Sequence, residues 1–176
     1  AHKTLESCGV SLNRPIEIKI VKAFDVQYTA CLGLYHCGED RIEILPPEDM
    51  ANVRDREGVF ELISDDAYWQ SIIAHELTHS VYDTVNCPFT SCVATAEYAA
   101  YAMQVFLLPA DQQPLFGKSI TLRSKPSHDS ISGVMVFMSP DHFAKTAWLH
   151  FQGREVPCDY MRLIMSGLFF FDREPL

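Results

Sequence analysis

The stretch IIAHELTHSVYD, residues 72–83, sets His75, Glu76 and His79 among apolar neighbours, with no further charge before Asp83. On a helix, positions four apart lie about 40° apart around the axis and roughly 6 Å apart along it. The imidazoles of His75 and His79 can therefore converge on one metal ion from one face. Glu76 is turned about 100° from His75, so it need not ligate and can instead reach a water bound to the ion. That is the mechanical content of H-E-x-x-H: two zinc ligands and a general base for hydrolysis. The competing reading is that both histidines are satisfied core residues.

A usable site needs a third protein ligand. Asp83 follows His79 by four residues and shares its helical face, but three ligands in line along one axis wrap a tetrahedral ion poorly. Position 85, where a metzincin would carry a third histidine, is Val85. Glu97 is the better candidate, as the only charged side chain in VATAEYAAYAMQVFLL, residues 93–108. An unpaired carboxylate on an apolar helix costs several kcal/mol or takes up a proton, and a zinc ion is a compensating partner. The simpler alternative is that Glu97 pairs with an arginine or faces water. Ala94, Ala96, Ala99, Ala100 and Ala102 let this segment approach the first helix closely enough for Glu97 to reach the ion.

The segments AHELTHSVYD and AEYAAY together resemble the gluzincin metallopeptidases, the first resembling especially the thermolysin-like family's H-E-L-T-H-x-V-x-D. The resemblance implies His75, His79 and Glu97 as ligands of one Zn2+ per chain, with Glu76 as catalytic base. It covers about a fifth of the chain. Seventeen residues separate His79 from Glu97, slightly fewer than in large gluzincins. Tyr101 stands where the thermolysin-like family has an aspartate, one turn after its glutamate. The chain is too short for a whole enzyme of that family, so a minimal zincin fits better. The function implied is hydrolysis of peptide bonds by an endopeptidase acting on a peptide or protein. A binding module with a structural zinc, its fourth position closed by His36, His128 or His142, is the alternative. Cleavage of another amide, such as a cell-wall cross-link, is a third reading. For the group that steadies the oxyanion, the candidates are Tyr98, Tyr101, His128, His142, His150 and Tyr160, with His150 or Tyr160 preferred. An edge strand, GLYHC (33–37) or RIEIL (41–45), would bind the substrate backbone.

The elements that must hold these residues can be read from pattern. IEIKIV (16–21) alternates as a half-buried strand; VQYTACLGLYHC (26–37) and RIEILP (41–46), parted by GED, look like a hairpin. Pro46–Gly58 reads as a connecting helix or loop. Ser64, Asp65 and Asp66 cap a helix running through Tyr82, and Thr90 or Ser91 caps a second running to Leu108, stopped by Pro109. SPDHFAKTAWLHFQG and PCDYMRLIMSGLFF (157–170) supply two more helices. Strands first and helices after give an α+β class: a small antiparallel or mixed sheet on the active-site helix and the Glu-bearing helix, then further helices, as one domain over 1–176.

With 176 residues, 48% hydrophobic and 21% charged, the chain can build one ordinary core. No apolar run reaches about 18 residues, so no membrane insertion is expected. A net charge of −9 argues against nucleic acid or anionic lipid as partner; the locally basic GKSITLRSK (117–125) reads as a solvated loop or strand. The six cysteines lack C-x-x-C spacing and read better as disulfides of an exported protein, secreted or periplasmic, than as the thiols of a reduced cytosolic one; the start at Ala1 fits either removal of a secretory leader or a trimmed chain. Sequence leaves the connectivity open. Pairing the close neighbours, Cys31 with Cys37 and Cys87 with Cys92, would leave Cys8 with Cys158.

Overall fold

The structure is a computed structural model that describes residues 2–24 and 32–173. Its order is α1 (His2–Ser7), β1 (Glu17–Ile20), β2 (Gly33–His36), β3 (Arg41–Ile44), α2 (Pro47–Val53), α3 (Asp65–Tyr82), α4 (Val93–Phe106), α5 (Gly133–Met138), α6 (Pro140–Gln152) and α7 (Pro157–Met165). Two short 3₁₀ turns lie between α4 and α5. The class is α+β, with a mixed sheet stacked on α3, α3 on α4, and α4 on α6.

The sheet runs β1-β3-β2, with β1 parallel and β2 antiparallel to β3. RIEIL is therefore the central strand and cannot be a free edge, which corrects one expectation; GLYHC does supply an edge. β3 alternates as its sequence requires, with Ile42 and Ile44 fully buried and Arg41 and Glu43 turned away. β1 is exposed along its whole length rather than half-buried. The stretch 26–31, and with it Cys31, lies outside the described residues. GKSITLRSK is irregular loop, and Lys145 donates to the Gly117 carbonyl at its start.

α3 begins where its acids and cap place it: the Ser64 hydroxyl accepts from the Ala67 N–H at 3.4 Å, and Asp65 and Asp66 occupy the first turn. α4 is capped differently from expectation. The carboxylate of Asp172 accepts from the N–H groups of Ala94 and Thr95, both at 2.9 Å, so the C-terminal segment satisfies this helix end. Ala94, Ala99, Ala100 and Ala102 are fully buried, and small side chains let α4 lie close between its neighbours. α7 stops earlier than expected. Gly167, at φ +69°, and Leu168 donate to the carbonyls of Ile164 and Leu163, closing the helix end five residues before Asp172.

Two disulfides are formed. Cys87–Cys92 closes the turn between α3 and α4, and Cys8–Cys158 ties α1 to α7 across a sequence separation of 150. Cys37 has no disulfide partner among the described residues. The buried core runs from Leu5 to Phe171, and no described helix is long and apolar enough to cross a membrane.

Candidate metal centre

Midway along α3, His75 and His79 project toward α4, and Glu97 meets them from the second turn of that helix. The two Nε2 atoms lie 3.0 Å apart, His79 Nε2 is 3.4 Å from Glu97 Oε1, and His75 Nε2 is 3.6 Å from Glu97 Oε2. Donor atoms bound about 2.0–2.1 Å from a tetrahedral zinc stand about 3.3–3.4 Å from one another. The observed spacings straddle that value, so two nitrogens and one carboxylate fit such an ion without rearrangement of the backbone. Among the described residues no other His, Cys, Asp or Glu joins this cluster.

The charges are arranged to suit a cation. Burial raises the Glu97 carboxyl, but the adjacent imidazoles, His75 first and then His79, outweigh it and hold the group below the usual carboxylate range. Burial opposes charge on both histidines. At His75 the Glu97 carboxylate wins and the net shift is upward; at His79 burial, helped by His75, wins and the shift is downward. An ionised carboxylate beside two imidazoles is a divalent-cation donor set of the borderline type zinc prefers.

Glu76 is buried and lies outside the converging triad. Its Oε2 accepts the Tyr35 N–H at 2.8 Å, a bond from the free edge of β2. β2 comes this close because residue 33 has no side chain: a Cβ there would stand 2.8 Å from Ile72 Cγ2 and 2.9 Å from Glu76 Cγ. Tyr35 holds the strand a second time, its hydroxyl donating to Asp83 at 2.9 Å, while Gly38 N–H donates to the same carboxylate at 3.1 Å. Asp83, the rival third ligand, thus anchors the strand and is not in the triad. Arg14 reinforces the anchor by donating to the Tyr35 hydroxyl and the Ser80 carbonyl.

His75 carries two contacts that sequence reasoning did not foresee. Its Nδ1 lies 3.0 Å from Gln104 Oε1, and its ring meets Tyr101 edge-on at 4.8 Å between centroids. Gln104 stood as a lone amide within an apolar run, and that was the only available signal. All four of His75, Glu76, His79 and Glu97 open onto one cleft of about 720 Å³, walled by Phe60, Tyr68, Ile72 and Tyr101. Asp55, Asp83 and Asp141 also line it, and no Lys or Arg is among its described lining residues.

Of the six candidates for steadying an oxyanion, Tyr101 lines the cleft and the other five do not. His150 and Tyr160, the preferred pair, belong instead to a buried cluster around Phe171. Arg154 donates to His150 Nε2, so the remaining proton sits on Nδ1 and is donated to the Tyr98 hydroxyl oxygen at 3.0 Å. Burial, then the Arg154 charge, push His150 down to about 4. The Arg154 guanidinium lies 4.3 Å from the Tyr160 ring centroid. Sequence cannot tell a histidine facing this cluster from one facing the cleft. His36 lies 3.2 Å from Glu43, His128 pairs with Arg173 and Asp129, and His142 meets Ser139, so none of them approaches the triad.

The chain matches the model of a family of unknown function, DUF6639, over residues 1–174, and it belongs to that family. No curated protein and no solved structure matches it.

Proposed function

We propose that this DUF6639 member is an exported zinc peptidase in which His75, His79 and Glu97 hold the ion and Glu76 is the base. The observation that carries the reading is the convergence of three donor atoms at tetrahedral spacing, with Glu76 excluded from the triad yet opening onto the same cleft. When bound, zinc supplies a Lewis acid that activates water and polarises a carbonyl. Glu76 takes the proton of the attacking water and returns it to the departing amine nitrogen. The Tyr35 N–H fixes Oε2 and leaves Oε1 to carry that proton. Of the six candidates for steadying the oxyanion, Tyr101 is the one that lines the cleft, and it takes that role here.

The free edge of β2 suits a peptide backbone. Leu32 pairs with Leu45 on the inner side, so the Gly33 backbone and the Tyr35 carbonyl turn outward and remain to pair with a substrate, the Tyr35 N–H being held by Glu76. A cleft lined by three aspartates and no described Lys or Arg suits neutral or cationic segments better than acidic ones. Among the described residues no fourth protein ligand closes the triad, which favours a catalytic zinc over a structural one. Two disulfides support an oxidising compartment.

The test is elemental analysis combined with cleavage of a peptide library. One zinc per chain is expected, lost in His75→Ala. Glu76→Gln should keep zinc and fold while turnover falls by about 10²–10⁴-fold. Full metal retention in His75→Ala would remove the ligand assignment, and undiminished turnover in Glu76→Gln would remove the base.

A further inference from the structure

We infer that Gln104 is the positioning residue that fixes His75 as the Nδ1–H tautomer, leaving its Nε2 bare toward His79 and Glu97. The consequence for metal rests on the zinc reading above; the tautomer assignment does not.

Gln104 is 1% exposed and sits on α4 seven residues after Glu97, two turns along nearly the same face. From there its amide spans to α3, meeting Ser71 and His75, themselves one turn apart. The amide's orientation is decided by Ser71. That hydroxyl donates its only proton to the Tyr68 carbonyl at 2.7 Å, so it offers Gln104 nothing but lone pairs. The amide nitrogen must therefore face Ser71, at 3.2 Å, and the amide oxygen must face His75 Nδ1, at 3.0 Å. A carbonyl oxygen can only accept, so Nδ1 carries a hydrogen. A neutral imidazole has one such hydrogen, and Nε2 is then an unprotonated donor atom 3.0 Å from its counterpart on His79.

The sequence of bonds from the Tyr68 carbonyl through Ser71 and Gln104 to His75 thus transmits backbone geometry to a proton position. It matters because a histidine side chain in water prefers the Nε2–H form, which would place a hydrogen where the ion must bind. It also supplies what Tyr101 does not: Tyr101 touches His75 through its ring edge, and the partner of Nδ1 comes from three residues further along α4. An amide, unlike a carboxylate, orients the ring without adding a negative charge beside the triad.

The experiment reads the ¹⁵N shifts of the His75 ring in metal-free protein, at a pH above the histidine range, and measures zinc affinity by competition with a chelator. Wild-type protein and Gln104→Glu, whose carboxylate also accepts from Nδ1–H, should show the Nδ1–H pattern. Gln104→Leu should shift His75 to the Nε2–H form and weaken zinc binding by about 10–100-fold, with circular dichroism unchanged. Nε2–H at His75 in wild-type protein would overturn the inference, and that measurement needs no variant to fold. A folded Gln104→Leu that kept both the Nδ1–H pattern and wild-type zinc affinity would overturn it equally. Wild-type protein with the Nδ1–H pattern but no zinc binding would remove the zinc reading and leave the tautomer assignment standing.

Discussion

Replacing Gly33 with alanine tests how closely the edge strand must approach the base. The added Cβ would stand 2.8 Å from Ile72 Cγ2, 2.9 Å from Glu76 Cγ and 3.1 Å from Glu76 Oε1. Carbon atoms settle about 3.5–4.0 Å apart, so β2 must retreat from α3 by about 0.7–1 Å. The 2.8 Å bond from Tyr35 N–H to Glu76 Oε2 then stretches past the useful limit for a hydrogen bond. A bond to a buried charged group is worth about 1.5–3 kcal/mol, and residual crowding adds to its loss; the expected destabilisation is about 2–4 kcal/mol. Without that bond the Glu76 carboxylate is free to shift, and a base misplaced by about 1 Å costs about 10²-fold in turnover. Zinc affinity should hold, because His75, His79 and Glu97 stand on α3 and α4 and none of their spacings involves β2. Urea unfolding, zinc titration and peptide cleavage measure the three quantities separately. A Gly33→Ala protein with an unchanged urea midpoint and undiminished turnover would refute the claim that this close approach sets the base.

Two further outcomes follow from groups away from the cleft. His150 is held neutral, its pKa down at about 4 from the ordinary 6.5; the unfolded chain therefore takes up a proton there before the native state does. Stability from this group is whole above about pH 6.5, falls as pH drops toward about 4, and the loss totals about 3 kcal/mol. Urea midpoints of His150→Gln should fall less over that interval than those of wild type, and parallel curves would contradict it. Removing the Cys8–Cys158 bridge with Cys8→Ala and Cys158→Ala releases a 150-residue separation. Chain entropy sets the upper cost at about 5 kcal/mol, visible as a lower melting temperature; an unchanged one would show that the α1–α7 tie carries no stability.

The sequence by itself placed His75, Glu76 and His79, because the angle between residues four apart is a property of one helix and needs no neighbour. It also marked Glu97 as the charge with no local reason to be there and gave the α+β order of elements; the cysteine pairing it left open, with Cys87–Cys92 and Cys8–Cys158 among the possibilities, and the structure forms those two. What it could not decide were relations across elements. Strand order put RIEIL in the middle because β1 joins it in parallel by a crossover that no local pattern encodes. The cap on α4 came from Asp172, 78 residues from Ala94. His150 and Tyr160 look no different in sequence from cleft residues, and only packing against Tyr98 and Phe171 turned them inward. The partner of His75 was an amide two helix turns beyond Glu97, visible only once α3 and α4 lay face to face. Hydrogen bonds act over about 3 Å, so which groups share one depends on how the helices and strands pack.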